Sequence, residues 1–323
     1  MSDAGTRPIR TVFLGSGGFA VPILEALLSA PEVELVGVVS APDRPSGRHR
    51  SVASTPVAAR ARVLGFPLLQ PGRIRDPDAI AAFAELQPEL GVLADYGRIV
   101  PPAILDLPAH GILNLHPSLL PRHRGASPIP ATILAGDDET GVSLIRMDAG
   151  LDSGPVIATT RWPLTGAELA PDLEARAAEA GADLLRRSLQ GWIDGSLPAI
   201  PQDDAAASLT RPLGRHDGRL DPSQSAAALE RQVRAYQPWP GSHLETSIGR
   251  IAIWRATVGD ARPEGVAPGR LAALGDSLAL AAMDRWLVLD EVQVAAGRRM
   301  SGPDFLRGRG RALISSAGGM PAG

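Results

Sequence analysis

From Ile9 to about residue 196, short apolar runs with strand character alternate with longer runs at helical spacing, and this alternation restricts the chain to few folds. Ile9 to Leu14 reads as a first strand. Phe19 to Ala30 follows with Val21, Leu24, Leu27 and Leu28 on one helical stripe, and Val33 to Ser40 reads as a second strand. Helices are expected at about 55–64, 76–86 and 127–135, with strands at 90–94, 111–116 and 141–147 and a further return strand from Pro155 to Thr160. A long Ala-rich helix from Glu168 to Ile193 closes the series. Repeated strand, helix, strand units give an α/β fold with a doubly wound, mostly parallel sheet.

The pattern changes after residue 197. Segment 197–208 has the composition of a linker. One helix at about 224–236 then precedes short strand-like runs at 251–254, 269–272, 278–280 and 286–289, separated by Gly, Pro and Asp at the spacing of a small β-barrel. Two domains are therefore expected, 1–200 and 209–316, the second smaller and OB-like. A length of 323 residues is enough for both cores.

Composition removes several chemistries. Cysteine is absent, which excludes disulfides, thiolate nucleophiles and thiolate metal sites. Lysine is absent as well, so Schiff-base chemistry and a P-loop lysine are excluded and every strong cation is arginine. Six scattered histidines without cysteine argue against zinc, and no metal is expected. No uncharged apolar stretch reaches membrane-spanning length and the N-terminus lacks the apolar core of a signal peptide; a cytoplasmic protein with no membrane association follows. Residues 1–202 carry 17 Arg against 22 acidic residues, whereas residues 203–323 carry 15 against 13. That basic excess is too small to argue for nucleic acid unaided.

The chemistry concentrates at Asn114-Leu115-His116-Pro117-Ser118-Leu119-Leu120-Pro121 and, further along, Gly150-Leu151-Asp152-Ser153-Gly154. Residues two apart on a strand share a face, so Asn114 and His116 project together. Pro117 and Pro121 end the ladder and fix the exit loop. An amide donor, an imidazole and a carboxylate suffice for acyl transfer: attack by an amine on a carbonyl leaves charge on oxygen for a donor and a proton on nitrogen for a base. Asn114 can supply the donor, and His116 and Asp152 can orient or accept the proton. A structural histidine beside a turn-forming asparagine is the plain alternative for this pair.

Two N-terminal stretches also invite functional readings. Gly15-Ser16-Gly17-Gly18-Phe19-Ala20 fits the G-x-G-x-x-A form that brings a pyrophosphate to a helix N-terminus. No acidic residue stands at the end of the second strand to hold a ribose, which weakens a dinucleotide reading. Asp43 to Arg50 forms a Gly/Pro loop carrying Arg44, Arg48, His49 and Arg50, either a solvated loop or a phosphate-seeking arm.

The Asn114 to Pro121 and Leu151 to Gly154 segments resemble the signature of the formyltransferase family that uses 10-formyltetrahydrofolate. Further matches at Phe13 to Ala20, Pro42 to Arg48, Tyr96-Gly97, Pro121 to Ile129, Met147 to Gly150 and Arg234 to Pro240 extend the resemblance to about residues 9–308, towards the branch that acts on initiator methionyl-tRNA in translation initiation. The resemblance implies Asn114, His116 and Asp152 as catalytic residues. It also implies a folate site formed by Ser118, Leu119, Leu120, Pro121, Tyr96 and Asp148, and tRNA contacts from Arg44, Arg48, Arg50, Arg211 and Arg215. The partners implied are the folate donor and the initiator tRNA, with no obligatory protein partner. Gly17-Gly18 stands where the family more often has proline and an acidic residue, and Asp95 where alanine is common. A sugar-nucleotide N-formyltransferase would share the trio and the first domain, and a non-catalytic nucleotide-binding module would rest on Gly15 to Ala20.

Overall fold

The computed structural model describes residues 7–46 and 51–315 and divides the chain into two compact units. The first comprises residues up to Pro128, Glu139–Pro163 and Glu174–Arg211; the second comprises Ile129–Asp138, Leu164–Leu173 and the chain from Pro212.

In chain order the first part runs β1 (Ile9–Gly15), α1 (Ala20–Leu28), β2 (Val33–Val39), β3 (Arg44–Ser46), β4 (Ser51–Ala53), α2 (Pro56–Leu64) and β5 (Leu68–Leu69). It continues through α3 (Pro77–Glu85), β6 (Leu90–Ala94), α4 (Pro102–Leu105), β7 (Ile112–His116), β8 (Arg124–Gly125), α5 (Pro128–Ala135), β9 (Glu139–Arg146), β10 (Val156–Pro163) and α6 (Ala170–Ile193). Seven of these strands form one sheet in the order β10-β9-β7-β6-β1-β2-β5. The pairs from β7 to β5 are parallel, whereas β9 runs antiparallel to both β7 and β10. Every residue of β6 and β7 is buried, as expected for central strands covered on both faces.

The helices begin and end where the sequence supplies the chemistry. Thr55 accepts the Ala58 N–H at 3.1 Å and Pro56 opens α2, while Gly65, at φ 75°, closes it in the left-handed conformation. One core cluster of this unit, containing Val12, Leu14, Val39, Phe83, Leu93 and Ile112, joins residues of the sheet to α3.

Segment 197–208 is not a free linker. Ile200 exchanges two backbone hydrogen bonds with Val156, each 2.8 Å, and β11 (Leu209–Thr210) pairs in parallel with β8. Composition suggested a solvated tether because none of these partners is close in sequence; the backbone groups of the segment are satisfied by distant strands.

In the second unit, α7 (Ala226–Ala235) is capped by Ser225 and buries Leu229 and Val233. The sheet consists of β12 (Ser242–Thr246), β13 (Gly249–Ala261), β14 (Leu271–Leu274), β15 (Ser277–Ala281), β16 (Arg285–Val294) and β17 (Met300–Ser301). Its pairs are all antiparallel, in the order β12-β13-β16-β15-β14 with β17 also on β16. The β13/β16 ladder shifts register at Ile253/Arg255, Arg255/Ala256 and Val258/Ala261. Such bulges increase the local bend and twist, giving a sheet of small-barrel type around Leu244, Ile251, Leu280 and Leu287. The expected runs at 251–254 and 286–289 are fragments of these long strands, and β12 carried too few β-branched residues to read as one. Two short helices, α8 (Gly302–Phe305) and α9 (Arg311–Ser315), follow.

Candidate active site

β7 delivers Asn114 and His116 to the same face, both only 5% exposed. Strand β9 ends beside the start of β7: Arg146 is level with Leu113, and Met147 donates its N–H to the Ile112 carbonyl at 2.8 Å. The 147–155 loop must therefore turn back along β7 to reach His116, and it does so with Asp152 at φ 49°. Aspartate is among the few non-glycine residues that tolerate this left-handed region.

Asp152 accepts on both carboxylate oxygens, from the Asn114 amide through Oδ1 at 3.0 Å and from the Gly125 backbone N–H through Oδ2 at 2.8 Å. The same Oδ2 lies 3.6 Å from His116 Nδ1. His116 Nε2 is 2.9 Å from the His123 carbonyl oxygen. A carbonyl can only accept, so Nε2 carries a proton and, in the neutral ring, Nδ1 holds the lone pair that faces Asp152. This arrangement has a vacant base position on Nδ1, an adjacent carboxylate to stabilise the imidazolium, and one Asn114 amide N–H beyond that given to Asp152.

The exit loop is fixed by its own polar atoms. Ser118, fully buried, donates its hydroxyl to the Arg122 carbonyl at 2.7 Å, and Ser143 bridges the Ser118 carbonyl and the Leu120 N–H. Gly125 adopts φ 109°, and a Cβ there would stand 2.5 Å from the Thr210 carbonyl oxygen. Only glycine lets β8 and β11 approach this closely while directing its N–H at Asp152.

The remaining expected site residues divide clearly. Leu119, Leu120 and Pro121 are partly exposed. The Tyr96 ring is 2% exposed, and burial pushes its phenol up to about 12. The Ser118 hydroxyl is engaged internally, with the Arg122 carbonyl. Asp148 is exposed but shapes its own loop, accepting from the Gly150 N–H at 3.0 Å and the Ser153 hydroxyl at 2.9 Å. Arg44 is exposed on β3, and Arg211 and Arg215 are exposed. Arg48 and Arg50 lie outside the described residues. Asp43, at the base of the arm, is bound by Arg62, Gln70 and Ser54; the Gln70 amide foremost holds its carboxyl below the usual range.

The glycine-rich turn is occupied internally. The N–H groups of Ser16 and Gly17 donate to the Asp95 carbonyl at 3.0 and 3.3 Å, so two amides that a pyrophosphate would need already have partners. Sequence reasoning missed Gln202, which donates to the Asp152 and Gly154 carbonyls at 2.8 and 2.7 Å. It stood in a segment of linker composition, and nothing local marks it.

Among the described residues, no helix is long and apolar enough to cross a membrane and no group of three or more His, Asp or Glu is placed to hold a metal.

Residues 9–189 match the family model for formyl transferase, and residues 212–310 match that for the formyl transferase C-terminal domain. The chain is 42% identical over 300 residues to the methionyl-tRNA formyltransferase of Roseiflexus castenholzii, covering 93% of this chain and 96% of that protein. It is 41% identical to the methionyl-tRNA formyltransferase of Thermus thermophilus, covering 94% and 97%. Among solved structures, the N-formyltransferase of Helicobacter canadensis in complex with folinic acid and dTDP-3-aminofucose superposes with a TM-score of 0.65 at 18% identity, covering 87% and 98%.

Proposed function

Since this chain belongs to the formyl transferase family, we propose that it transfers a formyl group to the α-amino group of initiator methionyl-tRNA, with Asn114, His116 and Asp152 as the catalytic residues. The observation that carries this reading is the convergence of the Asn114 amide, the His116 Nδ1 face and the Asp152 carboxylate on one strand flank. The formyl donor is 10-formyltetrahydrofolate, a co-substrate that supplies an activated carbonyl on nitrogen.

In the reaction, the acceptor amine forms a bond to the formyl carbon and the bond from that carbon to the donor nitrogen breaks. One proton leaves the amine and one arrives on the departing nitrogen, so formyl-methionyl-tRNA and tetrahydrofolate balance the equation. The free N–H of Asn114 stabilises negative charge on the formyl oxygen. His116 takes the amine proton at Nδ1, since Nε2 is held by the His123 carbonyl, and returns it to the departing nitrogen. The His123 carbonyl sets that tautomer, and Asp152, beside Nδ1, stabilises the imidazolium once the proton has arrived there. Leu119, Leu120 and Pro121, partly exposed beside His116 in the chain, are proposed with Ser118, Tyr96 and Asp148 as the folate site.

The acceptor assignment rests on relatives similar over almost their entire length, including the C-terminal unit. Arg44 on β3, Arg48 and Arg50 further along the sequence, and Arg211 and Arg215 are the cations proposed for the tRNA backbone. Without lysine, arginine makes all such contacts. A sugar-nucleotide acceptor has only the shared fold in its favour. A non-catalytic nucleotide module loses its support with the engaged amides of Ser16 and Gly17.

The test is a formylation assay with purified protein, 10-formyltetrahydrofolate and methionylated tRNAs. Turnover with initiator tRNA and little with elongator tRNA is expected. Transfer to an amino-sugar nucleotide with none to tRNA would overturn the acceptor assignment.

A further inference from the structure

Asp152 occupies a left-handed conformation on a loop that must reverse along β7, and besides its carboxylate contacts the backbone of this loop is held from outside its own sequence. That hold comes from the chain 50 positions downstream. Gln202 points both amide hydrogens at this loop, one to the Asp152 carbonyl at 2.8 Å and one to the Gly154 carbonyl at 2.7 Å. A primary amide is the side chain that can make this fork while its oxygen accepts from elsewhere. The oxygen does accept, from Arg124 Nε at 3.0 Å.

Arg124 is itself fixed. Its guanidinium is 8% exposed and binds Asp204 at 2.8 Å, its N–H donates to the Ser208 carbonyl at 2.9 Å, and its carbonyl accepts the Thr210 hydroxyl at 3.1 Å. The residue that follows it, Gly125, donates to the Asp152 carboxylate. One rigid unit thus holds Asp152 twice, by its backbone through Gln202 and by its side chain through Gly125. The bonds of this network are partly buried, and polar networks shielded from water are costly to leave half satisfied, so the loss of one member is felt at its partners.

We propose that Gln202 is a positioning residue for the Asp152 carboxylate, kept in register by Arg124, and that segment 202–210 is part of the active site. The proposal rests on the catalytic reading of Asp152 given above. Gln202 touches no reacting atom; it fixes the distance from Asp152 to His116 Nδ1 and to Asn114. A displacement of about 1 Å in a catalytic group is enough to reduce a rate about 10²-fold.

The experiment is steady-state formylation of initiator methionyl-tRNA by the full chain carrying Gln202→Ala, Gln202→Glu, Asp152→Asn, or Gln202→Ala with Asp152→Asn. Gln202→Ala is expected to lower kcat by about 10- to 100-fold while KM for the folate donor and for tRNA stays within about twofold. Gln202→Glu keeps an acceptor for Arg124 but has no N–H for the two carbonyls, so it should be as slow as Gln202→Ala and also reports the role if the alanine variant folds poorly. With Asp152→Asn already present, Gln202→Ala should slow the enzyme by no more than about twofold further, since its effect acts through that carboxylate.

Near-normal kcat in Gln202→Glu, a change confined to KM, or full multiplication of the two single effects would overturn the positioning role. Near-normal activity of Asp152→Asn alone would instead remove the catalytic reading of the carboxylate, and this proposal with it. The arms therefore separate the two failures.

Discussion

Asp152 and Asp95 are two aspartates in the same left-handed backbone conformation, φ 49° and 43°, and their surroundings make them opposite kinds of group. Asp152 receives an N–H on each carboxylate oxygen and faces an imidazole nitrogen. Asp95 follows β6, where its backbone carbonyl receives two amides but its side chain presses on the glycine-rich turn. Burial, reinforced by the carboxylate of Glu174, pushes the Asp95 carboxyl up to about 6, even though part of the residue remains exposed. Glu174 is raised as well, by burial, against the lowering effect of the Phe19 N–H. Backbone conformation alone therefore says little about what a carboxylate can do; the donors aimed at it decide.

The sharpest way to break this comparison is to remove each charge in turn. Asp152→Asn is expected to lower kcat by about 10²–10⁴-fold, the range for a group serving proton transfer, while Asp95→Asn leaves kcat within about twofold. Equal effects in a single-turnover assay would show that the two carboxylates are not functionally distinct. Next in size, Asn114→Ala should cost about 10²–10³ in kcat through loss of the oxyanion donor, with donor KM little changed. A defect seen only in KM would move Asn114 from the reaction to binding.

Smaller effects concern stability. A Cβ on Gly17 would lie 1.6 Å from Asp95 Oδ2, the end of an exposed side chain that can swing aside, so Gly17→Ala should destabilise by no more than about 1 kcal/mol in denaturant unfolding. The cost should shrink when Asp95→Gly is introduced with it, because the clashing side chain is gone; additive costs would mean that the turn is strained for another reason.

The smallest effect is a pH dependence. An acid raised from 3.8 to about 6 on folding is bound to its proton more tightly in the folded state, so its ionisation erodes stability as pH rises through that interval. Asp95→Asn also suits the left-handed conformation. Its Tm should match the parent below pH 4, exceed it increasingly up to about pH 6 and keep a constant advantage above. A stabilisation independent of pH would show that crowding and not charge is the penalty.

Much of the first unit was legible in the chain. Apolar strand runs alternating with helical stripes placed β1, β2, β6, β7 and β9 within a few residues, since burial on both faces or one face leaves a local periodicity. The meeting of Asn114 and His116 followed from the two-residue repeat of a strand. The second unit was less legible. Bulges break the alternation of β13 and β16, so only fragments of their 13 and 10 residues stood out. Nor did the motifs show that Tyr96 is enclosed by core residues distant in sequence or that Asp148 bonds within its own turn.

By itself, the sequence determined the class of fold, the exclusion of thiol and lysine chemistry, and the membership of a formyl transferase family, because composition, periodicity and contiguous motifs are all local properties. Only the tertiary structure decided that residues 200–210 belong to the first unit, that the loop carrying Asp152 doubles back along β7, and that Gln202 and Arg124 hold it there. Those contacts join residues 50 and 78 positions apart through single polar atoms. A hydrogen bond of that range imposes no spacing on its neighbours, so it leaves no pattern until the chain has folded.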